Sequence, residues 1–246
     1  MKDDLTNMRQ QTDKLQELLR LRLPAVAIAF RPTAPPGVSR INGAAPAGCS
    51  YWKLAAEGRV FYTEAVDHYN CPVGAHTHGI DLPADKQGEL QGLMGTMLEL
   101  KYLREAEIPN IPRRTEQFGV AIYSPWALAP CDPDVVLVRC DARQLMLLAE
   151  ATGAAGIGDA SELMVRPTCA MIPATLQHTR ATFSLGCIGN RVYTGLADDE
   201  LYAAIPGCRM DKVLEHLDVI MEANSKLETF HRQRSLLLAQ SSELRD

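Results

Sequence analysis

Four of the seven cysteines, Cys49, Cys71, Cys169 and Cys187, fall as two pairs at like intervals, one pair in each half of the chain. Thiolates are soft ligands that select zinc, copper(I) and iron–sulfur clusters. The intervals are not those of a zinc ribbon, which needs close C-x2–4-C pairs, nor of the compact bacterial ferredoxin run. Widely separated cysteines on loops can still meet around a cluster, so Cys49, Cys71, Cys169 and Cys187 are the expected ligands of a 4Fe-4S group. Two other occupations fit the same residues. One is zinc or a small cofactor in a non-enzymatic binding module. The other is a metal-free redox pair, whose low-pKa thiolate needs a neighbouring cation; Arg166 and Arg191 are close enough in sequence. Cys131, Cys140 and Cys208 have no companion motif and read as small buried hydrophobes.

The residues around the four thiols extend this reading. Gly74, Gly186 and Gly189 let backbone N–H groups approach a sulfide or an anion closely, and with Ser184 they form the expected cofactor-binding set. Pro72 and Pro167 stiffen the same loops. His68, three residues before Cys71, is a candidate proton donor; with Arg166 and Arg191 it completes the expected catalytic group, which would move protons or hold an anionic substrate. Arg166, Thr168, Ser184, Asn190 and Arg191 gather about the second pair as a candidate anion-accepting pocket. Alternate residues of an extended segment share a face, so His76 and His78 are expected side by side with their imidazoles exposed. His178, His216 and His231 are expected to face solvent.

These groups need elements to position them. Leucines and methionines spaced by three and four predict an amphipathic helix over Asp3–Arg22, ended by Pro24. Ala25–Phe30 (AVAIAF) and Asp134–Arg139 (DVVLVR) read as buried strands, and Arg59–Ala65 and Gly119–Tyr123 as further strands. Residues 31–48 read as an irregular loop, and Asp67–Gly74 as a turn. Helical spacing covers Leu90–Ala106. Asp141 stands at an N-cap before a helix over Arg143–Ala151. Gly153–Gly158 lacks the register of a nucleotide loop and reads as a linker. A long amphipathic helix runs over Asp211–Gln240. The expected fold is therefore α/β or α+β. Residues 1–23 form a leading helix, 24–210 one globular domain in two related lobes (24–118 and 119–210) with mixed sheets flanked by helices, and 211–246 a closing helix and tail.

The lobes rest on an internal echo. AVAIAF, Cys49, Cys71-Pro-Val-Gly and Gly79-Ile80 run in the same order as DVVLVR, Cys169, Cys187-Ile-Gly and Gly195-Leu196. A helix start is expected after each, at Asp81-Leu82-Pro83 and at Ala197–Glu200. If the echo is structural, the four cysteines converge near a pseudo-twofold axis.

Composition bounds the partners. Of 246 residues, 46% are hydrophobic and 22% charged, as in an ordinary globular chain. The formal charge of -5 argues against nucleic acid or an anionic membrane as the main partner. No apolar run is long enough to span a bilayer, and the polar N-terminus is not a secretory signal, so the cytoplasm is the expected compartment. A small-molecule substrate or a redox partner protein is expected, with the charged terminal helices available for a homodimer.

The order AVAIAF, a lone cysteine, CPVGAHTHGIDLP, PDVVLV with Gln144-Leu-Met, PTCA, SLGCIGNR and DDELYAAIPG resembles the prokaryotic domain-of-unknown-function family numbered 169 over about residues 10–220. The resemblance implies cysteines at the positions of Cys49, Cys71, Cys169 and Cys187, and no assigned activity. Ser50 stands where the family pattern has glutamine.

Overall fold

The computed structural model describes residues 2–158, 160, 163–164 and 166–243. Side chains of residues 2–5, including Leu5 of the expected apolar stripe, and of 241–243 lie outside that description.

The first half contributes α1 (Lys2–Leu19), β1 (Val26–Arg31), α2 (Ser50–Ala56), β2 (Phe61–Thr63), α3 (Pro72–Thr77), α4 (Ala84–Glu99) and β3 (Val120–Pro125). The second half contributes β4 (Val135–Asp141), α5 (Ala142–Ala154), β5 (Leu163–Met164), α6 (Met171–His178), β6 (Thr182–Ser184), α7 (Ile188–Thr194), β7 (Glu200–Pro206) and α8 (Met210–Glu243). All seven strands join one mixed sheet in the order β2-β3-β1-β4-β7-β6-β5, with β5–β6 parallel and the other pairings antiparallel. The two halves thus share one sheet instead of each closing its own.

The centre of the sheet is the β1–β4 pair, which aligns Val26 with Leu137, Ala27 with Val136 and Ile28 with Val135. On one side β3 starts its register at Val26↔Pro125; on the other β7 starts at Val135↔Pro206. β2 meets β3 at Phe61↔Tyr123, and β6 meets β7 at Thr182↔Ala204.

Successive side chains leave a strand on opposite faces, and both faces are covered. Ala27, Val136, Val138, Ala203 and Ile205 pack under α1, α5 and α8. Val26, Ile28, Leu137, Tyr202 and Ala204 pack under α2, α6 and Leu196. This explains the unbroken apolar runs of β1 and β4, because a strand buried on both faces has no polar side to alternate with. Each such valine or isoleucine contributes roughly 1.5–3 kcal/mol through burial.

Local chemistry sets the helix starts. Asp141 caps α5 by accepting from the Gln144 N–H at 2.8 Å, while the Gln144 side chain accepts from the Asp141 N–H at 2.8 Å. The terminal helices meet on one face of the sheet: Met8, Leu15 and Leu19 of α1 lie in the same apolar cluster as Val213, Leu214 and Leu217 of α8. Beyond that cluster α8 continues with Leu227, Phe230 and Leu236 exposed. Among the described residues no helix is long and apolar enough to cross a membrane.

Three local expectations are corrected. Glu200, expected in a helix start, opens β7, because its carboxylate is held by Arg139 of the neighbouring strand at 2.8 Å. The helix read from Leu90 begins at Ala84, just after Pro83. His76 lies within α3 and His78 at its C-cap, so the two do not share the face of an extended segment.

Candidate functional site

Each of the four paired cysteines stands where a loop turns into a helix. Cys49, Cys71 and Cys187 are the residues just before α2, α3 and α7, and Cys169 sits in the short 3-10 turn Thr168–Ala170 that leads into α6. All four helices lie on the same side of the sheet. Their N-terminal ends converge on one cavity of about 370 Å³, and all four thiols line it. Cys131, Cys140 and Cys208 do not. Cys140 is buried in the core on the opposite face of the sheet; Cys131 is only partly buried and Cys208 is exposed, against the expectation that they pack inside.

The loops are tied to one another. The Cys187 N–H donates to Thr168 Oγ1 at 2.5 Å, which joins the two second-half cysteine loops. Gly74 is needed where it stands, because a Cβ there would come within 2.9 Å of Cys71 Sγ. Gly186 has φ +77, and a Cβ would meet Leu196 at 2.6 Å, so it serves the turn.

Burial pushes the Cys49 thiol up to about 12; the neighbouring Cys71 and Cys187 add to the rise, and the Asn190 amide opposes it. Cys169 is also pushed up, first by burial and then by Cys71, although it is partly open to the cavity. Thiols held this way stay protonated and are poor nucleophiles unless a cation replaces their protons. Among the described residues, no three Cys, His, Asp or Glu side chains are drawn together as a single metal ion requires.

The other expected residues divide. Gly74, Gly189 and Arg166 line the cavity; His68, Ser184, Gly186 and Arg191 do not. His68 is buried beside Tyr51, bonded through Nε2 to Thr63 Oγ1 at 2.8 Å, and burial depresses its pKa to about 3. It is a neutral core histidine and does not line the thiols' cavity. Arg191 spends its guanidinium on the carbonyls of Leu185 and Ala197, at 2.6 and 2.8 Å. Ser184 Oγ accepts from the Gly186 N–H at 3.2 Å, within its own turn. Of the His76–His78 pair, His76 lines the cavity while His78 is buried, donating through Nδ1 to the Gly74 carbonyl at 2.8 Å. Of the remaining histidines, His178 and His231 are exposed and His216 is partly buried.

The sequence pattern of domain of unknown function 169, described as an uncharacterised ArCR, matches residues 14–216. The chain belongs to this family. A relative from Methanocaldococcus jannaschii, described as uncharacterized protein MJ0308, is 22% identical over 224 residues, covering 87% of this chain and 95% of its own. No solved structure matches the chain.

In this DUF169 protein the outer wall of the cavity escaped the sequence reading. Leu90, Leu93, Met94 and Met97 of α4, with Tyr102, Ile108 and Ile111 after it, face the thiols across the cavity. The available signal was the helix itself: α4 buries none of its side chains in the core, so its apolar residues need another surface to face.

Proposed function

We propose that this protein carries an iron–sulfur cluster on Cys49, Cys71, Cys169 and Cys187, and acts through it in redox or Lewis-acid chemistry on a small molecule. One observation carries the reading: the four paired cysteines, and none of the other three, open on a single cavity. Four thiols spread around a cavity wall suit a cubane, whose ligands attach at separate corners, better than one zinc ion, whose ligands must crowd together. A bound soft cation replaces the thiol protons outright, so Cys49 and Cys169 can serve as ligands although burial keeps them protonated otherwise. The raised Cys49 and Cys169 thiols also weigh against either of them as the nucleophile of a metal-free redox pair.

The strand registers support a further part of the proposal, that the halves are duplicates. Setting Val26 on Val135 and Pro125 on Pro206 carries β1-β2-β3 onto β4-β6-β7, and the Ala27↔Val136 pair falls on the twofold axis. Cys49 then corresponds to Cys169, each opening the helix that follows the first strand's loop, and Cys71 to Cys187, each following the strand that pairs with the outer side of β3 or β7.

Held by all four thiolates, the cluster would be coordinatively closed and supply electrons; held by three of them, it would leave one iron open as a Lewis acid. The chain's own residues do the rest: Gly74 makes room for Cys71, Thr168 fixes the Cys187 loop, and the apolar outer wall excludes water. Anaerobic purification with iron, zinc and sulfide analysis tests this. Iron and acid-labile sulfide with broad absorption near ~400 nm are expected. Cys71→Ser and Cys187→Ser should remove the chromophore while Cys131→Ser keeps it. Colourless protein, with stoichiometric zinc or with no metal, would overturn the reading.

A further inference from the structure

We propose that the outer part of this cavity binds a small organic acid, its hydrocarbon body against α4 and its carboxylate on Arg166; this names the substrate class of the site described above and rests on that reading for its chemistry, not for its binding. The whole cavity, about 370 Å³ and shared with the thiols at its inner end, is within the range of small-molecule sites. Its outer wall is aliphatic, through Leu90, Met94, Met97 and Ile108, so the body of the ligand must be apolar. Arg166 is the one Lys, Arg, Asp or Glu among the described lining residues. An acid is therefore the charged group the wall can pair with, and a guanidinium does so with two parallel hydrogen bonds.

The state of Arg166 fits a group held ready. Its guanidinium lies 4.8 Å over the Tyr102 ring, which orients it without using its hydrogen bonds. Its ion pair with Glu107 is long, 3.7 Å, and Glu107 is itself taken by Arg104 at 2.8 Å. Arg166 Nε is buried and has no hydrogen-bond partner among the described residues. At the inner end Asn190 is only 2% exposed and lines the same cavity, yet neither Oδ1 nor Nδ2 makes a hydrogen bond of good geometry there. A buried amide that only reaches Cys49 and Tyr202 in poor geometry is rare in a finished core. It marks the cavity as built for a molecule that brings polar atoms of its own.

The test is isothermal titration of the anaerobically purified protein with octanoate, octanol and octylamine, three probes with one body and different heads. Octanoate should bind at least tenfold tighter than either of the others. Arg166→Gln should reduce octanoate to the octanol level while leaving the absorption spectrum unchanged. Met97→Trp, which fills the outer part of the cavity, should abolish binding of all three with the fold intact by circular dichroism. Equal binding of octanoate and octanol, or unaltered octanoate binding in Arg166→Gln, overturns the acid assignment. If none of the three probes binds, there is no such site. If Arg166→Gln instead loses the chromophore and keeps octanoate, Arg166 serves the cluster and the proposal is wrong. Selective octanoate binding by a colourless wild type would sink the cluster and leave this inference standing.

Discussion

The segment that follows α3 and the segment that follows α7 begin alike, at a cysteine and a short helix, and end alike, on an inner strand of the same sheet. Between those points they differ. From α7 the chain turns at Gly195, φ +63, and enters β7 at Glu200. From α3 it makes the excursion of α4 and the 3-10 turn Glu105–Asn110 before reaching β3 at Val120. The short segment is locked: Arg139 binds Glu200 and the carbonyls of Thr194 and Gly195, and Leu196 is buried. The long one buries Ile80, Leu82 and Leu103, but its helix α4 is held lightly, since none of its own side chains is buried in the core. The same kind of corner can thus be used either to finish a sheet or to roof a cavity, and the difference lies in what the apolar residues have to cover.

Three experiments sharpen or break that contrast. The largest effect is expected at the lock. Arg139→Gln leaves the Glu200 carboxylate, 5% exposed, with only the exposed Arg22 at 3.8 Å and the Ala197 N–H at 2.9 Å, and should cost about 3 kcal/mol in chemical denaturation. A loss below about 1 kcal/mol would show that the short segment is not held by this pair.

Next is a pH effect confined to the long segment's root. His78 ends α3, and burial, reinforced by Arg114 and opposed by the Gly74 carbonyl, depresses its pKa to about 4. A depressed histidine binds its proton more readily when unfolded, so its contribution is complete above the unfolded pKa near 6.5 and declines as pH falls toward 4. Between pH 7 and 5 this removes about 2 kcal/mol. His78→Asn, which keeps a donor for the Gly74 carbonyl, should reduce that slope by about half in denaturant titrations at several pH values, because His68, depressed to about 3, contributes over the same range. An unchanged slope would place the acid sensitivity elsewhere.

The smallest effect is expected in the roof. Met94→Ala should cost under about 1 kcal/mol, whereas Leu196→Ala in the short segment should cost about 2–5 kcal/mol. Similar losses at the two positions would mean that α4 is part of the core.

Much of the frame was legible without coordinates. AVAIAF and DVVLVR proved to be the central antiparallel pair, because runs of branched apolar residues can only be satisfied where both faces are covered. Asp141 and Gln144 announced the start of α5 through a local hydrogen-bonding pattern. The strand at Glu200–Pro206 was misread because its acidic opening looks like a helix start, and only Arg139, far off in sequence, supplies the partner that makes the strand favourable. His68 and Arg191 stand close to cysteines along the chain, but His68 bonds Thr63 through Nε2 and Arg191 is taken by backbone carbonyls, and neither lines the cavity.

The sequence by itself determined the periodic elements, the helix cap and which cysteines deserved attention, since these follow from residue types acting over a few neighbours. Tertiary structure decided that the two halves share one sheet, that the paired thiols face one cavity, and that α4 with Arg166 forms its other wall. Those outcomes depend on pairing and packing between segments far apart in the chain, where the free energy belongs to the contact and to neither sequence alone.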